Sequence, residues 1–476
     1  MTSPSAAHAA GAGRFVEGPI TATLARFALP LLLTNFLHSV SGTWGAVWAG
    51  QVLGSNALTA VATANVIMFM VMGSAMGIGT AAGVAIGQSL GAGDERAVKR
   101  VVGGAVVFIV VLSLALATVG WALAPAIVEA IGTPAAARGF AVTHLRFTCL
   151  AMPSIFTYLV MMMMLRGAGD ARTPFRFTLV WIGGTMALTP LLLKGAFGLP
   201  GLGIASLGLA SLAANALALG TLVAYVYLKR SPVALHRGDL HHFRPDPVLL
   251  RLLVRRGVPL ALESILVQGA YFVLLSAVNS YGAATAAAYA ASAQLWGYVQ
   301  LPSNALAAAM SAMAAMNIGA GRWDRVEQIA LRGCGLSFVI ATAATGLMYA
   351  LGDAPLRLFI PAGGEVLAIA WRINLIALWG WIALSATMGV FAIMRANGAM
   401  LAPMLIFALT MWAFRVPFAL GLQPVLGDAA IWWSFPFGTV CSALIAVAWY
   451  HWGGWRHQRP MLADLDTQVE ESRIGE

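Results

Sequence analysis

FALPLLLTNFLHSVSGTWGAVWAGQVLGSNALTAVATANVIMFMVMGSAMGIGTAAGVAIGQSLGAG, residues 27–93, contains no Asp, Glu, Lys or Arg. A run of that length holds two membrane crossings of about 20 residues each, with a short turn between them. Hydrocarbon offers no water to backbone N–H and C=O groups, so a segment crossing it satisfies them internally, as a helix. A second charge-free run covers residues 264–321. Neither run shows the short alternating segments of a transmembrane barrel. The whole chain agrees: of 476 residues, 60% are hydrophobic and 10% charged, against roughly 25% charged in a soluble domain. The bilayer is the solvent this chain is written for.

Twelve spans are predicted, near 20–46, 56–90, 98–124, 137–165, 175–197, 202–228, 256–281, 284–318, 329–352, 364–394, 401–423 and 429–452. Spans 1, 2 and 8 exceed a membrane's thickness, which implies tilt, kinks or protruding ends. The net charge of +10 does not point to nucleic acid, because 22 of the 28 Lys and Arg residues fall in alternate loops and the termini. By the positive-inside rule those segments are cytoplasmic, the two tails included. The N-terminus, MTSPSAAHAAGAGRFVEGPI, lacks a basic start followed by an apolar core, so no cleaved signal peptide is expected. Cys149, Cys334 and Cys441 lie in separate apolar segments and read as small buried hydrophobes.

Three short segments recur in the same order at nearly one spacing. RFALPLLL (26–33) matches RRGVPLAL (255–262), GAGDERAVKR (91–100) matches GAGRWDRVEQ (319–328), and LRGAGDARTP (165–174) matches MRANGAMLAP (394–403). The offset is 228–229 residues and spans six crossings, so the halves are parallel repeats. The expected organisation is a tail (1–19), an N-lobe (20–228), a basic, Pro-containing interlobe linker (229–254), a C-lobe (255–452) and a second tail (453–476). Transporters with parallel repeats place substrate between the halves and rock one half against the other.

The Gly-Ala-Gly loops, the Arg166-Gly167-x-Gly169-Asp170-x-Arg172-x-Pro174 turn, Phe414-Arg415-Val416-Pro417, His144-Leu145-Arg146-Phe147 and Ala370-Trp371-Arg372-Ile373 together resemble the multidrug and toxic compound extrusion (MATE) family. The resemblance covers essentially the whole chain. It implies an all-α fold of twelve helices in two six-helix lobes around a central cleft. It also implies export of organic cations or other amphipathic compounds in exchange for H+ or Na+, by a monomer in the plasma membrane. Two other readings share parts of this pattern. Major-facilitator transporters also have two parallel six-span halves, but their loop 2–3 carries an internal Gly that Asp94–Arg100 lacks. A flippase for lipid-linked sugars needs a basic cavity within the membrane.

An ionisable residue at membrane depth is a functional candidate. Among the acids, Glu263 alone lies well inside a span, one turn after Pro259, which removes a backbone donor and loosens that turn. Its carboxylate could carry a proton, ligate sodium, neutralise a cationic substrate, or form a structural pair with an Arg such as Arg255. MATE proteins often carry a span 7 acid about one turn deeper, nearer Val267, and a span 1 Asp where this chain has Gly45. Sodium-coupled members add an acid in span 10, and residues 373–393 contain none. His38 is a second coupling candidate: Thr34 corresponds to Glu263 in the repeat, and His38 lies one turn further on the same face. For substrate the candidates are Tyr271, two helical turns beyond Glu263, with Asn35, Gln294 and Trp48, since aromatic faces attract organic cations and buried amides orient ligands or join helices. No Gly-Lys-Ser/Thr phosphate loop, metal-ligand cluster or nucleophile constellation is present, so neither an ATP-driven engine, a cofactor nor enzymatic chemistry is expected.

Overall fold

The computed structural model describes residues 13, 15–195, 201–244, 246–361, 363–457 and 461; the rest of the two predicted tails lies outside them. Twelve long helices account for the fold, and no strand occurs among the described residues. They are helix 1 (Ile20–Leu53), helix 2 (Ser55–Ala92), helix 3 (Glu95–Ala130), helix 4 (Ala135–Gly167), helix 5 (Arg172–Lys194), helix 6 (Ala205–Leu228), helix 7 (Pro247–Asn279), helix 8 (Ala283–Gly319), helix 9 (Trp323–Leu351), helix 10 (Gly364–Ala377 and Gly380–Ala396), helix 11 (Leu401–Gly421) and helix 12 (Ala429–Trp452). Ten are individually long and apolar enough to cross a membrane. Helix 10 makes an eleventh as a broken span bent by 48°. Helix 8, Ala-rich and 37 residues long, is the twelfth long helix and is less apolar than those eleven.

The departures from the predicted ends have local causes. Helix 7 begins at Pro247, inside the stretch read as linker. Asp246 Oδ1 accepts from the Val248 and Leu249 amides at 3.0 and 3.2 Å, and Pro247 occupies the first helical position, where its missing N–H costs nothing. Helix 10 breaks at Gly380, which faces Phe435 and the backbone of Pro436 so closely that a Cβ would sit 2.9–3.0 Å from them. Helix 11 widens into a π-turn over Leu409–Arg415. Pro417 follows, and a proline ring crowds the carbonyl four residues earlier.

The helices form two compact units. Among the described residues, unit 1 contains residues 33–258 and unit 2 contains 13–32 and 259–461. The changeovers fall inside helix 1 and helix 7, beside Pro30 and at Pro259. Packing within the units is alike. In unit 1, helix 4 lies against helices 2, 3 and 6; in unit 2, helix 10 lies against helices 8, 9 and 12. The turns that repeat in sequence repeat in backbone too. Gly93 and Gly321 have φ of 76° and 70°, and Gly169 and Gly398 have 83° and 86°. Side chains rarely adopt that region, so glycine survives there in both halves.

Each unit fastens a segment that precedes a first helix. In unit 2, Asn317 Nδ2 donates to Phe15 O (3.0 Å), Arg322 Nη1 to Val16 O (3.2 Å) and Arg325 Nη2 to Gly18 O (2.7 Å). In unit 1, Lys99 Nζ lies 3.1 Å from Asp239 Oδ2, and Arg100 pairs with Asp246. Asp239 Oδ2 also accepts from the His236 amide at 3.0 Å. That bond, followed by the Lys99 contacts, holds its carboxyl below the usual carboxylate range.

Two outcomes follow from this packing. Gly83 faces the Met163 carbonyl, and Gly167 faces the Gly83 backbone, with no room for a Cβ at either position. Gly83→Val should therefore cost about 1–3 kcal/mol or more and lower the melting temperature in detergent. Gly183→Ala, where a Cβ meets nothing within 4 Å, should not. For Asp239, a folded value below the unfolded one (about 3.9) means that its contribution is complete above the unfolded value and is lost as pH falls through the folded one. A spin label at Gly238→Cys should stay immobile from neutral pH to about pH 5 and loosen only below the ordinary carboxylate range. In Asp239→Asn it should be loose at neutral pH.

Candidate functional site

Helix 7 runs through Pro259 and presents Glu263 one turn later. Helix 10 ends on Arg395, in its last turn. Arg395 Nη2 donates to both carboxylate oxygens of Glu263, at 2.6 Å to Oε1 and 2.8 Å to Oε2. The Glu263 side chain is only 12% exposed and that of Arg395 20%, so each removes most of the other's charge where water screens least. Sequence reading assigned Arg395 to a loop, but helix 10 continues through Ala396 and draws the side chain back along its own surface, over the Phe391 ring at 5.8 Å. Arg395, and not Arg255 as the sequence suggested, is thus the arginine that pairs with Glu263. The signal was available: in the matched segments Arg395 stands where Arg166 stands in the first half.

Tyr271 lies elsewhere. Eight residues of helix rise put it about 12 Å from Glu263 along helix 7. It belongs to an aromatic cluster within unit 2. Its ring is 6.1 Å from that of Tyr289, which stacks on Trp432 at 5.8 Å and meets Trp296 edge-on at 5.7 Å. Trp296 stacks on Phe435 at 5.8 Å, and its Nε1 donates to Asn374 Oδ1 at 2.8 Å. Asn374 in turn donates to Ser292 Oγ and Ala370 O, which leaves this buried amide network well satisfied. The cluster already contains a cation: Arg415, on the π-turn of helix 11, lies 5.0 Å over the Phe435 ring and within electrostatic reach of both tyrosines. Among the described residues its buried Nε has no hydrogen-bond partner, and Nη1 meets the Met411 sulfur at 3.6 Å.

The remaining candidates are dispersed. His38, crowded by neighbours yet with an exposed edge, packs its ring 5.2 Å from Trp181. Asn35, half-buried, makes no side-chain hydrogen bond among the described residues. Trp48 stands 5.9 Å from Trp44, and the Lys194 ammonium sits 5.0 Å over its ring. Gln294 is exposed and lies on helix 8 between Ser292 and Trp296, which occupy the opposite face. Gly45 has open space, since a Cβ there would meet nothing within 4 Å; packing does not forbid an acid at that position. Among the described residues no group of three or more His, Cys, Asp or Glu could hold a metal ion.

Comparison with known proteins fits this architecture. The MatE family profile matches residues 30–191 and 259–420, two segments of equal length set 229 residues apart, as the internal repeat requires. The chain is 32% identical over 430 residues to the probable multidrug resistance protein YoeA of Bacillus subtilis, covering 90% of this chain and 93% of that one. It is 26% identical to the probable multidrug resistance protein YpnP of the same organism, covering 93% and 97%. In fold it resembles a crystallised MATE protein in complex with MaL6, with TM-score 0.86 at 17% identity over 94% of this chain and 99% of that one. It also resembles an outward-facing multidrug resistance MATE transporter of the MOP superfamily, with TM-score 0.84 at 17% identity over 92% and 96%. The chain, a multi-pass membrane protein built as a twofold repeat of six helices, belongs to the MATE family of multidrug efflux transporters.

Proposed function

We propose that this protein is a secondary active exporter of amphipathic organic compounds, organic cations among them, in antiport with H+ or Na+. It works as a monomer in the plasma membrane, with both termini cytoplasmic, by alternating access between its two lobes, and it performs no enzymatic chemistry. The observation that carries this reading is the Glu263–Arg395 pair. A carboxylate inside a span is costly unless paired, and this one is paired by a single guanidinium nitrogen.

The pair provides a chemistry for coupling. A proton or Na+ delivered to Glu263 cancels the charge that holds Arg395, so the Nη2 hydrogen bonds weaken and the end of helix 10 is released from helix 7. Loss of the ion restores the pair. Pro259, one turn before Glu263, leaves helix 7 short of one backbone hydrogen bond at the place where it would flex. The ion thus acts on a joint between two helices, and a substrate that competes for Glu263 or Arg395 is exchanged against it.

Inverted vesicles test the reading. With an imposed proton gradient, and separately a sodium gradient, the wild-type protein should move a cationic dye, and one of the two ions should support most of the movement. Glu263→Gln should lose gradient-driven movement; wild-type export by that variant removes Glu263 from the mechanism. Stability gives a second readout. Arg395→Ala or Glu263→Gln alone should cost about 3 kcal/mol by stranding its partner, and the double variant should cost clearly less than the sum of the two.

A further inference from the structure

The two units differ at one matched pair of positions. Glu263 and Arg395 of unit 2 correspond, at the same offset of 229 residues, to Thr34 and Arg166 of unit 1. The arginine is retained and its carboxylate is not. Thr34 is fully buried. Where Arg395 Nη2 makes two charge-assisted hydrogen bonds, Arg166 makes no side-chain hydrogen bond and no ion pair among the described residues, and its Nε is buried without a partner. The nearest acid in sequence, Asp170, directs Oδ1 at the amides of Arg172 and Thr173 instead.

The surroundings of Arg166 are aromatic. It lies within electrostatic reach of Tyr158 and His38. Both of those rings pack on Trp181, with centroids 5.4 and 5.2 Å away, and the Tyr158 hydroxyl is 3.3 Å from Thr178 Oγ1. Unit 2 shows what chemistry this guanidinium accepts in its own fold: a carboxylate approaching the terminal nitrogens.

We propose that Arg166 is a binding site for the carboxylate of an amphipathic organic acid, whose apolar body packs against Trp181 and the exposed His38, with Tyr158 buried behind them. The ligand supplies in unit 1 the group that Glu263 supplies in unit 2. This rests on the export reading and deepens it, since it assigns an anionic class of substrate to one unit.

The test is direct binding to the purified full-length protein in detergent, without any gradient. The probes are naphthylacetic acid, its neutral primary amide and naphthylethylamine, which share one ring system. The acid should bind at least about tenfold more tightly than the amide, the value expected of a hydrogen bond to a charged group, and the amine should bind more weakly than either. Arg166→Gln should abolish the preference for the acid, and Arg166→Lys should retain part of it. Thr34→Glu rebuilds the internal pair and should abolish acid binding while leaving the melting temperature intact or raised. Equal binding of the three probes, or an unchanged preference in Arg166→Gln, overturns the proposal. Competition by chloride as strong as by the acid also overturns it, because the site would then be one for small anions. Failure here leaves gradient-driven export untouched, and failure of export with acid binding intact would count against the export reading alone.

Discussion

Asn317, Arg322 and Arg325 close onto the carbonyls of Phe15, Val16 and Gly18, while Lys99 and Arg100 close onto Asp239 and Asp246. Except for Asn317, at the end of helix 8 just before the loop, the two sets come from matching loops of the repeat, GAGRWDRVEQ and GAGDERAVKR. Each loop holds the segment that leads into the other half's first helix. Helix 1 therefore starts in unit 2 and finishes in unit 1, and helix 7 does the reverse. Polar fastening of this kind is available only where water or loops meet the bundle, because a helix within hydrocarbon has no spare backbone groups to offer. The two helices are anchored at one end and pass a proline before joining their own repeat. A proline lowers the cost of bending at that turn, which places the softest point of each helix where its affiliation changes.

Glu263 illustrates what this arrangement does to a charge. It stands four residues beyond Pro259, at the start of the part of helix 7 that belongs to unit 2, and meets an arginine from the last turn of helix 10. An isolated carboxylate there would be expelled toward water or take up a proton. Paired, it instead becomes a latch whose strength depends on whether it carries its charge. The energetic value of such a pair as stability is modest, but the cost of leaving one partner alone is large. Under the proposed antiport, that difference is what a coupling ion would use.

Much of this was legible in the residues. The charge-free runs located helices 2 and 8 to within two residues at each end, because hydrocarbon leaves no other regular structure open to them, while helix 1 runs seven residues past its predicted end. The repeat was legible because its turns need glycine at positive φ (Gly93, Gly169, Gly321 and Gly398), and those positions resist drift. The start of helix 7 was missed because a basic, Pro-containing stretch reads as linker until Asp246-Pro247 is recognised as a cap followed by a first helical residue. The break in helix 10 depends on Phe435 and Pro436, from a different helix, and no local signal reports it. The Glu263–Arg395 pair joins residues 132 positions apart, and the Trp296–Asn374 bond joins residues 78 apart. Only packing brings such residues together.

Electrostatics also bear on what the aromatic cluster of unit 2 can accept. A cation over one tyrosine or tryptophan face gains about 0.5–2 kcal/mol. The same cation placed about 6 Å from the Arg415 guanidinium loses about 3 kcal/mol, taking an effective dielectric near 20. Repulsion wins, so the Tyr271–Tyr289 face in this arrangement disfavours the class of ligand that an aromatic face alone would suggest. Arg415 is itself tolerated because Phe435 and the Met411 sulfur offer it soft electron density in place of a carboxylate. For a cation to use the tyrosines, helix 11 must first carry Arg415 away, and the π-turn on which that residue sits is the place in helix 11 where the hydrogen-bond ladder is already loosened. A neutral or acidic ligand needs no such step.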